Sequence, residues 1–225
     1  MTPTLVTLDL DGTLWEHREL SRRALEAAWD LALREFPSMD RARLDQLHAE
    51  MADDACGSLA RFERLLARAG VTREGLAVAM DNAFNEKRLD LLRADPGAPS
   101  VLQELRARGL TLGVITNGRA PVQRAKLARA GLEACFDFVL AGLGPEAKPA
   151  PDLFRAASRL AGSPADRCLH VGDSWEQDVM GAVGAGWRAV HLSSSGSRPR
   201  SHRRVRTIKR LEDLTRVLPL DTREE

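Results

Sequence analysis

Apolar side chains crowd the opening residues, at Leu5, Val6, Leu8 and Leu10, and stop at Gly12. A short apolar run closed by glycine predicts a buried strand that ends in a turn. From residue 16 to about 95 the rhythm changes, and apolar positions recur at helical spacing. Residues 19–36 carry Leu20, Ala24, Ala27, Ala28, Leu31 and Leu33 in that way. Pro37 ends this helix, and Ser38 is placed to cap the next. Residues 41–55, 58–69 and 72–92 repeat the pattern, with Gly57 and Gly70 as breaks and Thr72-Arg73-Glu74 as a helix start. These stretches suffice for a small helical bundle.

The breaker cluster Asp95-Pro96-Gly97-Ala98-Pro99-Ser100 reads as a linker, after which helix and strand alternate. Helices are predicted over 101–108, 121–130, 152–161 and 179–185, and strands over 111–115, 136–140, 168–171 and 187–192. Val205, Ile208, Leu211 and Leu214 supply a last strand and a closing helix. Alternation of this kind implies right-handed crossovers and an α/β fold with a doubly wound, Rossmann-like parallel sheet. The expected organisation is a core of residues 1–15 with 96–225, interrupted by an all-helical insertion over 16–95.

Charge changes this picture little. The 225 residues carry 33 basic and 32 acidic side chains, a net charge of +1, which gives no global reason to expect nucleic acid or an anionic membrane as partner. Three cysteines, Cys56, Cys135 and Cys168, form no C-x-x-C pair and suit a reduced interior. No signal-like start and no bilayer-length apolar segment is present, so a cytoplasmic protein is expected. Monomer and homodimer both remain open.

The polar residues that follow the strands change it more. Asp9 and Asp11 come at the end of the first strand, where residues i and i+2 point the same way, so the two acids are expected to converge on one small volume. Two carboxylates so close call for a cation or a shared proton. Thr116-Asn117-Gly118 offers a hydroxyl, an amide and a flexible loop ahead of a helix, which suits an oxyanion, although it also reads as a turn with a cap. Lys148 is pinned in a loop by Pro149, and Asp152 can cap the helix beyond. Asp173 and Asp178 follow the apolar Leu169 and Val171, where an N-cap is the plainer reading. A doubly wound sheet brings all four strand ends to one edge, and that combination outweighs the plainer readings. Carboxylates from two strands can hold a hard, oxygen-preferring cation, for which Mg²⁺ suits a phosphate site.

In that order and spacing, Asp9-Leu10-Asp11-Gly12-Thr13, Thr116-Asn117-Gly118, Lys148-Pro149 and Gly172-Asp173-Ser174 with Asp178 resemble the four motifs of the haloacid dehalogenase superfamily. The resemblance spans essentially the whole chain, and the helical insertion resembles the cap that follows the first motif in one subfamily and selects the substrate. It implies Asp9 as the nucleophile that becomes an aspartyl-phosphate, and Asp11 as the acid and then the base. It implies Thr116, the Asn117 N–H and Lys148 on the phosphoryl oxygens. Mg²⁺ would sit on Asp9, the main-chain carbonyl of Asp11 and Asp173, with Asp178 orienting the metal's waters or Lys148. The expected activity is hydrolysis of a small phosphorylated metabolite. A phosphomutase is the alternative, and a 2-haloacid dehalogenase a more distant one, because dehalogenases of the family lack the second carboxylate of the first motif.

Other features are set aside. Arg198, Arg200, Arg203, Arg204, Arg206, Lys209 and Arg210 crowd one segment, but without interleaved aromatic residues a solvated loop is expected rather than a nucleic-acid surface. His170 and His191 fall within strands and read as sheet residues. Trp15 is a packing residue or a substrate contact. Asn82, Asn85 and Arg88 are polar positions on the helical insertion.

Overall fold

The computed structural model describes residues 2–51, 57–193 and 200–218. Its chain divides into two compact units, 1–16 with 93–225 and 17–92.

Strand β1, Leu5–Leu8, is buried at every position, as a central strand covered on both faces must be. It pairs in parallel with β2, Thr111–Asn117, on one side and with β4, Cys168–Gly172, on the other. β3, Phe138–Gly142, extends the sheet beyond β2, while β5, Arg188–Leu192, and β6, Val205–Ile208, extend it beyond β4. The order β3-β2-β1-β4-β5-β6, parallel throughout, reverses direction at β1, so the ligand crevice of such a sheet lies beyond the carboxyl ends of β1 and β4. This is the α/β, doubly wound fold class that the alternation of elements predicts.

Helices α5 (Ala98–Ala107), α6 (Ala120–Ala130) and α7 (Asp152–Ala161) follow in chain order. α7 buries Leu153, Phe154 and Ala157, and Phe154 meets Trp187 and His170 edge-on at 5.5 and 5.2 Å, an arrangement aromatic rings favour. After β4 the chain makes a π-helical turn, Trp175–Met180, that runs into the short α8, Gly181–Gly184; α9, Leu214–Val217, closes the described chain.

The helical unit holds α1 (Arg18–Glu35), α2 (Arg41–Glu50), α3 (Ser58–Arg68) and α4 (Leu76–Leu91). Its core has an aromatic spine, Trp29 to Phe62 to Phe84, with successive edge-on contacts at 5.9 and 5.8 Å. Two local expectations fail here. Asp40, not Ser38, caps α2 by accepting from the Ala42 N–H, and α4 begins at Leu76, because the chain is still turning at Glu74 and Gly75. The end of the helix expected over 41–55 falls partly outside the described residues, as do Cys56 and Arg198.

Among the described residues, no helix is long and apolar enough to cross a membrane. The basic segment is partly committed to partners within the chain. Arg200 pairs with Glu176 and lies over the Trp175 ring at 5.5 Å, Arg204 donates to the Gly186 carbonyl, and Arg210 pairs with Glu212 at 3.4 Å.

Candidate active site

The strand alternation that would align Asp9 with Asp11 does not carry through. β1 ends at Leu8; the Asp9 N–H still donates to the Val171 carbonyl at 2.9 Å, but Thr13 and Leu14 N–H turn back to the Leu10 carbonyl at 3.2 and 2.9 Å. Gly12 occupies this turn at φ 88°, a left-handed conformation that favours glycine. A Cβ there would also run into the Asp173 carboxylate. The two acids consequently take different partners.

Asp9 Oδ1 accepts from Lys148 Nζ at 2.7 Å. The same ammonium donates to Asp178 Oδ1 at 2.5 Å and to the Ile115 carbonyl at 2.9 Å, which uses all three donors of a lysine. Lys148 is 4 % exposed, and its backbone is held as firmly as its head. The Lys148 N–H donates to Asn117 Oδ1 at 2.7 Å, and Asn117 Nδ2 donates to the Lys148 carbonyl at 3.0 Å. The Asn117 side chain therefore ties the loop after β2 to the Lys148 loop, whose Lys148–Pro149 peptide is cis. Thr116, buried, lies one residue before it near the end of β2.

Asp178 reaches this centre from the π-helical turn. Its Oδ2 accepts from the Ser174 N–H at 2.9 Å, and its Oδ1 faces His170 Nε2 at 3.2 Å. A Cβ at residue 172 would overlap the Asp178 carboxylate, so Gly172 is what admits it. His170 is fully buried, and its Nδ1 meets Thr7 Oγ1 at 2.8 Å. Burial, with Lys148 nearby, holds the imidazole below its ordinary pKa despite Asp178. Asp178 is an acceptor, so the neutral ring carries its proton on Nε2 and accepts from Thr7.

Burial and like charge pull the acids apart in proton affinity. Burial raises Asp9, assisted by Asp178 and Asp11, although Lys148 pulls the other way. Burial would also raise Asp178, but Lys148 and His170 overcome it and hold the carboxyl well below the usual range. Burial alone would lower Lys148, yet Asp178 and Asp9 more than offset it, and the lysine stays charged with a raised pKa. Asp173 is pushed up to about 7 by burial and by the charges of Asp9 and Asp178. Carboxylate oxygens of Asp9, Asp173 and Asp178 lie within 4.8 Å of one another. An all-oxygen set that repels itself this strongly fits a hard divalent cation.

Asp11 stands outside that cluster. Its Oδ1 accepts from Trp15 Nε1 at 2.7 Å, and its Oδ2 pairs with Lys126 Nζ at 2.5 Å. Lys126 belongs to none of the four sequence motifs. Neither does Gln123, whose Nε2 donates to the Asn117 carbonyl at 2.5 Å. One signal was available: the buried face of α6 is Gln123, Lys126 and Leu127, two polar residues three apart where apolar ones belong. His191 Nε2 faces the Asp173 carbonyl at 3.1 Å. In the helical unit, Asn85 donates to Asp81 and Arg88 lies over the Phe84 ring at 5.3 Å.

Residues 3–186 match the family model of the haloacid dehalogenase-like hydrolases. The chain belongs to that family. The phosphoserine phosphatase of Thermus thermophilus is 33 % identical to it over 87 % of this chain and 90 % of its own length. A ribulose-1,5-bisphosphate 5-phosphatase of Halopiger xanaduensis is 30 % identical over 85 % of each. Among solved structures, a 2-haloacid dehalogenase from Pseudomonas syringae pv. Tomato superposes with a TM-score of 0.73 at 29 % identity, covering 96 % of this chain and 98 % of that one.

Proposed function

We propose that this hydrolase is a Mg²⁺-dependent phosphatase that acts on a small phosphomonoester through an aspartyl-phosphate on Asp9. The observation that carries the reading is the contact of Asp9 with the buried, charged Lys148, beside Asp173 at the reversal point of the sheet. A carboxylate so placed can attack phosphorus, forming an Asp9 O–P bond while the bond from phosphorus to the leaving alcohol breaks. Asp11 gives a proton to the departing oxygen, then takes one from the water that attacks the aspartyl-phosphate, and inorganic phosphate leaves with Asp9 restored. Lys148, Thr116 and the Asn117 N–H neutralise the equatorial oxygens as charge develops on them. Asp178, bound to Lys148 and the Ser174 N–H, orients the ammonium. Asp9, the Asp11 carbonyl and Asp173 would hold Mg²⁺, which would supply positive charge to the phosphoryl oxygens.

The helical unit is assigned the choice of substrate. The relatives' names, phosphoserine and sugar phosphatases among them, support a small phosphorylated metabolite as substrate. Halide release, suggested by the dehalogenase it resembles, has no use for a proton donor at Asp11. The purified chain is expected to hydrolyse 4-nitrophenyl phosphate with Mg²⁺ and to stop in EDTA, and Asp9→Asn is expected to be inactive. Halide release from 2-chloropropionate, indifferent to EDTA, would reverse the assignment, while an isomerised phosphate ester without free phosphate would point to a mutase.

A further inference from the structure

We propose that Lys126 is a positioning residue for the proton-transfer step, fixing the direction in which the Asp11 carboxylate points. The inference rests on the reading of Asp11 as acid and base given above. A lysine on a helix normally extends its ammonium into water. Lys126 instead turns inward: it is 2 % exposed, and its Nζ lies 2.5 Å from Asp11 Oδ2. The other Asp11 oxygen accepts from the indole of Trp15, a side chain locked by burial. One such contact leaves a carboxylate free to swing about that contact. Two contacts on different oxygens define its plane.

Both anchors have rigid support. Gln123, one turn earlier on the same face of α6, donates to the Asn117 carbonyl, so the helix that holds Asp11 is tied to the loop proposed to hold the phosphoryl group. Asn117 in turn grips Lys148. The orientation of the proton donor is thus set relative to the phosphate site through Lys126, Gln123 and Asn117. The two buried lysines divide the acids between them. Lys148 serves Asp9 and Asp178, and Lys126 serves Asp11.

A residue that positions a proton donor matters most when the leaving group needs the proton. The test compares phenyl phosphate with 4-nitrophenyl phosphate, two esters of similar shape whose leaving groups differ in basicity, using the full chain with Mg²⁺. Lys126→Met is expected to lower kcat/KM on phenyl phosphate by roughly tenfold or more, part of what general acid catalysis contributes to release of the alcohol, the step that kcat/KM reports apart from the hydrolysis of the aspartyl-phosphate both esters share. On 4-nitrophenyl phosphate kcat/KM should change little. Lys126→Arg, which keeps the charge and the reach, is expected to recover much of the loss. Equal losses in kcat/KM on the two esters, or no loss, would overturn the proposal. Should the Met variant not fold, Lys126→Gln and Lys126→Arg carry the comparison. Asp11→Asn, measured alongside, separates the two levels. If it shows the leaving-group preference and the Lys126 variants do not, only the role of Lys126 fails; if it shows none, the reading of Asp11 fails first.

Discussion

Lys148 and Asp173 mark the extremes of this site, one buried charge fully partnered and the other crowded by its own sign. Removing Lys148 would strand Asp9 and Asp178 as buried, unpaired carboxylates, and breaking a buried pair in that way costs about 3–5 kcal/mol. Lys148→Met should therefore lose stability of that order in denaturant unfolding as well as activity. An intact midpoint would mean that the carboxylates find other partners. Gly172→Ala places a Cβ on the Asp178 carboxylate, and activity is expected to fall through displacement of Lys148, as a crystal structure of the variant would reveal. At this scale the sequence was informative where a residue type has few uses: an acid after a buried strand, or a lysine before proline. It was silent on Lys126, because a lysine in a helix has an ordinary reading and only the pairing with Asp11 distinguishes it.

The elements were legible wherever apolar periodicity is unbroken. β1, β2, β4 and α7 begin where the pattern puts them, since a buried strand or amphipathic helix cannot shift without exposing its apolar face. Ends and irregular turns were not. The π-helical turn Trp175–Met180 precedes and overlaps the helix that the pattern predicts only from 179, because its geometry follows from seating Asp178 beside Lys148, a tertiary requirement. The turn after Leu8 likewise gives Asp9 and Asp11 different partners, each carboxylate taking its own lysine. In the helical unit the spine of Trp29, Phe62 and Phe84 carries the packing. Trp29→Ala also abandons a hydrogen bond to Asp45 and is expected to cost about 3–5 kcal/mol, typical of deleting a large buried aromatic. Unfolding followed by circular dichroism would register it; a shift of only a few tenths would place the core elsewhere.

For the whole molecule, pH and the proposed metal would act through the same carboxyl. Asp173 holds its proton up to about 7 against an ordinary 3.8. A raised carboxyl contributes stability that is fully present below the ordinary pKa and lost as pH rises through the shifted one. Without metal, the wild type should therefore lose stability relative to Asp173→Asn between about pH 4 and pH 7. A cation needs the carboxylate form, so the stabilisation by Mg²⁺ should be larger at about pH 8 than at about pH 5. Thermal unfolding with and without Mg²⁺ measures both; a metal shift independent of pH and retained in Asp173→Asn would remove Asp173 from the metal site. The most direct test of the central claim is mass spectrometry of enzyme quenched in acid during turnover of a phosphomonoester. One phosphoryl group on a peptide containing Asp9, released by hydroxylamine and absent from Asp9→Asn, is the expected result, and label on any other residue, or full turnover by Asp9→Asn, would contradict it.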